Sequence, residues 1–383
     1  MLVPWSSTRP VRAVLLAAVA LAAALFPAAA LAQPAGGAPR AAVGAEGDFV
    51  VRDFRFGDGS ALPKLRIHYT TLGRPRRDAA GRVRNAVLIL HGTTGSGRGF
   101  LAPAFAGELF GPGQPLDTAT HYVILPDGIG TGGSSKPSDG LRARFPRYGY
   151  EDMVAAQHRL VTEGLKVDHL LLVMGTSMGG MQTWMWGARY PDFMDALVPL
   201  ASVPTQIAGR NRMMRAIISD AIRGDPAWRG GEYAASPRGL YTALGMLFMM
   251  TSSPLQLHAA APTRDSADAV IRGWLRTRMA STDANDFLYQ FEASRDYDPS
   301  LDLGRIRAPV LAINSADDLV NPPELGLMER LMPRVPRGRY VLIPTGPRTR
   351  GHGTHSLPAL WKPHLVALLA EVAGPARRAQ RRS

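Results

Sequence analysis

Four short stretches of the chain, at 86–90, 122–125, 170–174 and 196–200, are apolar without a polar interruption. A strand with one wet face alternates, whereas a strand covered on both faces has no reason to, so these four read as buried strands of a parallel sheet. Between the second and third, Met153, Ala156, Leu160 and Val161 recur at helical spacing, which predicts a helix over 150–165. A second helix is expected from Met178 to Tyr190, where Pro191 stops it. Ahead of these, 49–56 and 65–71 are rich in strand formers around Gly57-Asp58-Gly59 and suggest an antiparallel pair at the sheet edge.

From 204 to 299 the strand signal disappears and the pattern turns helical, with Met213, Met214, Met246, Met249, Met250 and Met279 among its bulky residues. This segment reads as a helical lid inserted into the sheet domain, its methionines filling core gaps or, alternatively, lining an adaptable apolar acyl pocket. Strand and helix then resume at 310–313, 324–332, 340–343 and 357–372. Such alternation predicts a doubly wound α/β core built from 48–203 and 300–373.

The ends have a different character. Arg9 and Arg12 precede an apolar run over 13–26, then Pro27 and Ala30-Leu31-Ala32, which is the form of a secretory signal peptide over 1–32 cut after Ala32. The run is long enough to invite a membrane-anchor reading, but Pro27 and the small-residue site favour cleavage, leaving no membrane span in the exported protein. Residues 33–47, rich in Ala, Gly and Pro, read as a disordered spacer, and 374–383 as a basic tail carrying Arg377, Arg378, Arg381 and Arg382. The net charge of +13 is otherwise scattered and lacks interleaved aromatics, so nucleic acid is not an expected partner. With no cysteine in the chain, disulfides, a thiolate nucleophile and cysteine metal ligands are all excluded.

The sharpest chemical signal is Gly175-Thr176-Ser177-Met178-Gly179-Gly180, which follows one expected strand and opens one expected helix. That context makes Gly-x-Ser-x-Gly a nucleophile elbow and points to an α/β-hydrolase fold with Ser177 as nucleophile. A serine hydroxyl needs a base to take its proton, and the base needs a carboxylate to hold its tautomer. Chain order in this fold is serine, acid, histidine. Gly351-His352-Gly353-Thr354-His355 therefore offers two bases, His352 and His355, just before the last helix. For the acid, 310–313 runs into Asp317 and Asp318 at the strand end where open α/β sheets place their sites. Asp318 stands four residues before Pro322, the commoner spacing in α/β hydrolases, and Asp317 is the alternative. The backbone N–H groups of Thr93, in His91-Gly92-Thr93-Thr94-Gly95, and of Met178 are the expected oxyanion donors. Asp127-Gly128-Ile129-Gly130 lacks dinucleotide spacing, and no metal-ligand cluster stands out, so no cofactor is expected.

From Phe56 to the final helix the chain resembles the homoserine O-acetyltransferase family of α/β hydrolases. The resemblance is carried by 85–95, Gly133-Ser134-Ser135-Lys136-Pro137, Phe145-Pro146, Asp152-Met153, Ser177-Met178-Gly179-Gly180-Met181-Gln182, Trp186 and Tyr190-Pro191. In the lid it extends to Arg215-Ala216-Ile217, 228–233 and Gly239-Leu240. It implies that Gly351-His352 matches the family's catalytic Gly-His, which favours His352 over His355. Two positions depart from the family: Leu244 stands where the lid arginine is found, and Gly353 where an acidic residue follows the histidine. Without partners for the carboxylate and ammonium of an amino acid, homoserine is not the expected acceptor. The expected function is an exported serine hydrolase acting on a small-molecule acyl compound, with acyl transfer to another acceptor as the alternative and ligand binding without chemistry as the third reading.

Overall fold

The computed structural model describes residues 44–380. The expected signal peptide lies outside the described residues. Among the described residues, eight strands form one sheet: β1 (Ala45–Arg55), β2 (Ala61–Leu72), β3 (Ala86–Leu90), β4 (Tyr122–Pro126), β5 (Leu172–Thr176), β6 (Leu197–Leu200), β7 (Val310–Ser315) and β8 (Gly338–Ile343), in the order β1-β2-β4-β3-β5-β6-β7-β8. β1 with β2, and β2 with β4, are antiparallel; every other pair is parallel. The antiparallel pair sits at the edge, as its turn signals suggest. It starts at Ala45, paired with Thr71, so the spacer reading of 45–47 is corrected: backbone pairing with β2 orders Ala45, Glu46 and Gly47, none of which is buried.

Every residue of β3 to β7 is buried, which is why these segments carry no polar alternation. Successive side chains on a strand point to opposite faces. Leu88 and Leu90 therefore join one core with Met153, Trp184 and Trp186, while Val87 and Ile89 join a second with Phe105, Trp361 and Leu365. The first core lies under α2 (Tyr150–Arg159) and α3 (Met178–Arg189); the second lies under α1 (Pro103–Leu109) and the C-terminal helix.

Between β6 and β7 the chain runs through α4 (Gly209–Arg223), α5 (Arg238–Thr251), α6 (Pro254–Ala260), α7 (Arg264–Met279) and α8 (Ala284–Glu292), the helical insertion expected from the loss of strand pattern. Helices α4, α5, α7 and α8 share a core of their own, with Ile218, Leu244, Leu275 and Phe287, which Val320 joins from the loop after β7; α6 buries no residue.

Three helix boundaries differ from the sequence pattern. The helix over 150–165 ends at Arg159 and widens into a π-helical turn, Leu160–Gly164, closed by Leu165 N–H donating to Leu160 O at 2.9 Å. The stretch 324–332 holds only α9 (Leu327–Leu331), because Gly326 adopts φ 58° just before it and Pro333 follows it. The last helix, α10 (Lys362–Gln380), starts later than 357, with Pro363 in a first turn whose N–H groups have no helical acceptor, and extends into the segment read as a tail. No described helix is long and apolar enough to cross a membrane.

Candidate active site

Ser177 sits between β5 and α3 with φ 53° and ψ −112°, a backbone conformation that costs a non-glycine residue energy. Tight packing holds it there. A Cβ on Gly175 would lie 2.2 Å from Gly179 O, and one on Gly179 would lie 2.0 Å from Leu90 O. These two glycines let the helix start press against the ends of β5 and β3. The Ser177 N–H donates to Leu200 O at 2.9 Å, tying the turn to β6. The hydroxyl is left at the mouth of the sheet, only partly covered.

His352 reaches that hydroxyl from the loop after β8. Its Nε2 lies 2.7 Å from Ser177 Oγ, and its Nδ1 lies 2.8 Å from Asp318 Oδ2. Asp318 is buried and fully engaged. Its Oδ1 accepts from Val320 N–H at 2.8 Å and Asn321 N–H at 3.3 Å, and Asn321 Nδ2 donates to Oδ2 at 3.2 Å. Burial pushes the Asp318 carboxyl up, but the His352 ring beside it and these donors outweigh burial and hold it below the usual carboxylate range. An ionised Asp318 accepts from Nδ1–H, which leaves Nε2 with a lone pair for the Ser177 proton.

Asp317 faces elsewhere. Its Oδ1 accepts from Ser315 Oγ at 2.5 Å, and its Oδ2 accepts from Thr349 Oγ1 and from Gly351 N–H, each at 2.9 Å. It secures the loop that carries His352 without touching the ring. His355 lies edge-on to His352, ring centres 5.4 Å apart, with its Nδ1 shut off from solvent and unpartnered among the described residues. Burial, and then the His352 ring, push it down to about 3, so it is neutral near pH 7. The structure thus brings Asp318 and His352 to Ser177 and leaves Asp317 and His355 to one side.

The loop after β3 runs beside the serine, since β3 and β5 are parallel neighbours with Leu90 opposite Gly175. A Cβ on Gly92 would lie 3.3 Å from Ser177 Cβ. The Thr93 N–H donates to no acceptor among the described residues, and the Met178 N–H opens α3 with no helical acceptor. His91, buried, sets this loop: Nδ1–H donates to Gly92 O at 2.8 Å and Nε2 accepts from Gly128 N–H at 2.9 Å. Asp127, in the next loop, accepts from Gly97 and Gly133 N–H groups, a structural use of the Asp-Gly-Ile-Gly stretch.

The model of the family described as alpha/beta hydrolase fold matches residues 85–347. The chain belongs to the α/β-hydrolase fold family. This α/β hydrolase is 32% identical over 305 residues to a homoserine O-acetyltransferase of Pelobacter propionicus, covering 70% of this chain and 81% of that protein. Among solved structures, the homoserine O-acetyltransferase of Bacillus anthracis superposes with a TM-score of 0.75 at 22% identity, over 85% of this chain and 98% of its own. An acetylester hydrolase of Corynebacterium glutamicum superposes with a TM-score of 0.72 at 21% identity, over 86% and 95%. These two share its fold.

In this α/β hydrolase, Leu244 is wholly enclosed in the core of the helical insertion and presents no polar group to the serine. Ser177 and His352 stand at the junction of two cavities, one of about 410 Å³ toward Met181, Val203 and Leu319, the other of about 440 Å³ toward Thr93, Leu247 and Trp274. Arg215, buried on α4, lines both. It donates to Asn211 Oδ1 at 3.0 Å and Ser294 Oγ at 3.0 Å, with its guanidinium 5.3 Å from the Phe291 ring centre. Sequence reasoning noted Arg215 only as a lid residue and did not single out Asn321; each lies on a segment whose approach to the serine depends on the fold. Among the described residues, no group of three His, Cys, Asp or Glu side chains is set to hold a metal ion.

Proposed function

We propose that the protein is an exported ester hydrolase that works through a Ser177 acyl-enzyme. The observation that carries this reading is the hydrogen-bonded line from Ser177 Oγ to His352 to Asp318, at 2.7 and 2.8 Å. His352 takes the hydroxyl proton as Ser177 Oγ bonds to the ester carbonyl carbon; the negative oxygen that forms accepts from the Thr93 and Met178 N–H groups. Collapse breaks the bond to the alcohol, which leaves with the proton His352 holds. Water then repeats the sequence and releases the acid. Asp318 stays ionised throughout and stabilises the imidazolium. A fluorophosphonate probe tests the core of this: covalent labelling of the native protein and none of Ser177→Ala. Absence of labelling in the native protein leaves a ligand-binding protein.

A second reading is favoured by the likeness to the Pelobacter propionicus homoserine O-acetyltransferase: the acyl group passes to a hydroxyl or amine in place of water. Leu244 and Gly353 argue that such an acceptor is not homoserine. Product analysis from one acyl ester, with and without added alcohols and amines, separates the two readings. Export is supported by Arg9, Arg12, the apolar run and Ala30-Leu31-Ala32; amino-terminal sequencing of protein from the cell envelope should begin at Gln33.

A further inference from the structure

Arg278, on the last turn of α7, lines the 440 Å³ cavity together with Ser177 and His352. Its Nη2 lies 3.4 Å from Thr94 Oγ1, and its Cζ lies 5.7 Å from the Trp274 ring centre. Its Nε is shielded from solvent and has no hydrogen-bond partner among the described residues. Arg215, the second guanidinium on this cavity, meets only neutral groups: Asn211, Ser294 and the Phe291 carbonyl. Among the described residues no Asp or Glu lines the cavity, and His355 there is neutral near pH 7. Beyond Arg278 a smaller cavity of about 260 Å³ does contain Asp283 and Asp286. Those carboxylates are engaged elsewhere: Asp283 accepts from the Tyr233 hydroxyl at 2.5 Å, and Asp286 from Ser138 Oγ at 2.6 Å.

A guanidinium that faces a cavity with no carboxylate among its described lining residues lacks a charge partner, which an anionic ligand entering the cavity would supply. The group that fits is a planar oxyanion, which accepts two parallel N–H bonds from the arginine fork. We propose that Arg278 holds a carboxylate of the substrate and so makes the enzyme selective for esters carrying a negative charge beside the scissile bond. Arg278 is a specificity-determining residue rather than a member of the proton-transfer line. Trp274 lies beside its guanidinium and Thr94 anchors one nitrogen, on a cavity that Ser177 also lines. The departure at Leu244 thus removes one cation from the insertion, while α7 supplies another at a different place.

The inference rests on Ser177 as the acylated residue, and its test separates the two. Native protein and Arg278→Gln are compared on para-nitrophenyl acetate, on para-nitrophenyl hydrogen glutarate, whose carboxylate is in the acyl part, and on para-acetoxybenzoate, whose carboxylate is in the alcohol part. The readout is the ratio of kcat/KM for each anionic ester to that for the neutral one. A charge-assisted pair predicts that Arg278→Gln lowers this ratio roughly tenfold to a hundredfold for one anionic ester, chiefly through KM, with Arg278→Lys in between. The ester affected tells which part of the substrate meets Arg278. Calorimetry of monomethyl glutarate and benzoate with Ser177→Ala, alone and combined with Arg278→Gln, reads the same subsite without turnover. Binding that Arg278→Gln weakens supports the proposal even if fluorophosphonate labelling fails and the acyl-enzyme with it. Equal ratios in native and Arg278→Gln protein, with no Arg278-dependent binding, overturn it while hydrolysis of the neutral ester stands.

Discussion

Asp317 and Asp318, adjacent in the chain, hold two parts of one loop: Asp318 Oδ2 meets the His352 ring at 2.8 Å, and Asp317 Oδ2 accepts the Gly351 N–H at 2.9 Å. One orients the base and the other fixes the backbone that carries it. Replacing each should therefore fail in a different way.

Asp318→Asn leaves the packing intact but presents His352 with a donor in place of an acceptor, and so the wrong tautomer to Ser177. A drop in kcat of roughly 10⁴-fold is expected, with the melting temperature changed far less. Asp317→Asn removes charge from bonds to Gly351, Thr349 and Ser315, with an expected stability loss of about 1.5–3 kcal/mol and a smaller loss of kcat. Steady-state kinetics beside thermal melts of both variants give the comparison; a reversed pattern would mean that Asp317 serves the histidine.

Stability should fall with acid in a way His355 helps to set. An unfolded histidine binds its proton near 6.5, but His355 in the folded protein stays neutral down to about 3. Between these values the unfolded state binds more protons, so folding is progressively disfavoured as pH drops from 6.5 toward 3, and the effect is absent above 6.5. Asp318, held below the usual range, adds stability at neutral pH that is lost as pH falls through its folded value. Melting temperature against pH should slope less steeply in His355→Leu over that window. An unchanged slope would count against a buried neutral His355.

Gly179→Ala should be severe although it adds one methyl. The new Cβ would lie 2.0 Å from the Leu90 carbonyl oxygen, and backbone cannot swing aside as a side chain can. The start of α3 must move, carrying Ser177 with it. A destabilisation on the order of 1–3 kcal/mol is expected together with loss of fluorophosphonate labelling. Normal labelling at full stability would show that the turn is not held as described.

Leu244→Arg, which restores the family's guanidinium, should not bring homoserine acetylation. Leu244 is fully enclosed with Ile218, Ile222 and Phe287, so the charge would be buried without a partner. A stability loss of about 3–5 kcal/mol is expected, read by denaturant titration, with no O-acetylhomoserine detected from an acetyl ester and homoserine.

Much of this was legible because it is local. Unbroken apolar runs mark strands covered on both faces, and Gly-x-Ser-x-Gly between a strand and a helix places a hydroxyl on a strained turn, since the residues involved are neighbours in the chain. Helix ends were less legible: Arg159, Leu331 and Lys362 are boundaries set by a π turn, by glycine with proline, and by proline. The start of β1 at Ala45 was hidden because Ala45, Glu46 and Gly47 carry no apolar pattern and are ordered by the partner strand.

By itself the chain determined the layered fold, the elbow at Ser177 and two short candidate sets, Asp317 or Asp318 and His352 or His355. Only the tertiary structure decided which histidine meets the serine and which aspartate meets that histidine, and it alone brought Arg278 to the same cavity. Successive side chains on a turn point in different directions, and the partners lie 34 and 175 positions from His352. Their meeting is therefore set by how β5, β7 and β8 stand side by side in the sheet, a relation that no local pattern encodes.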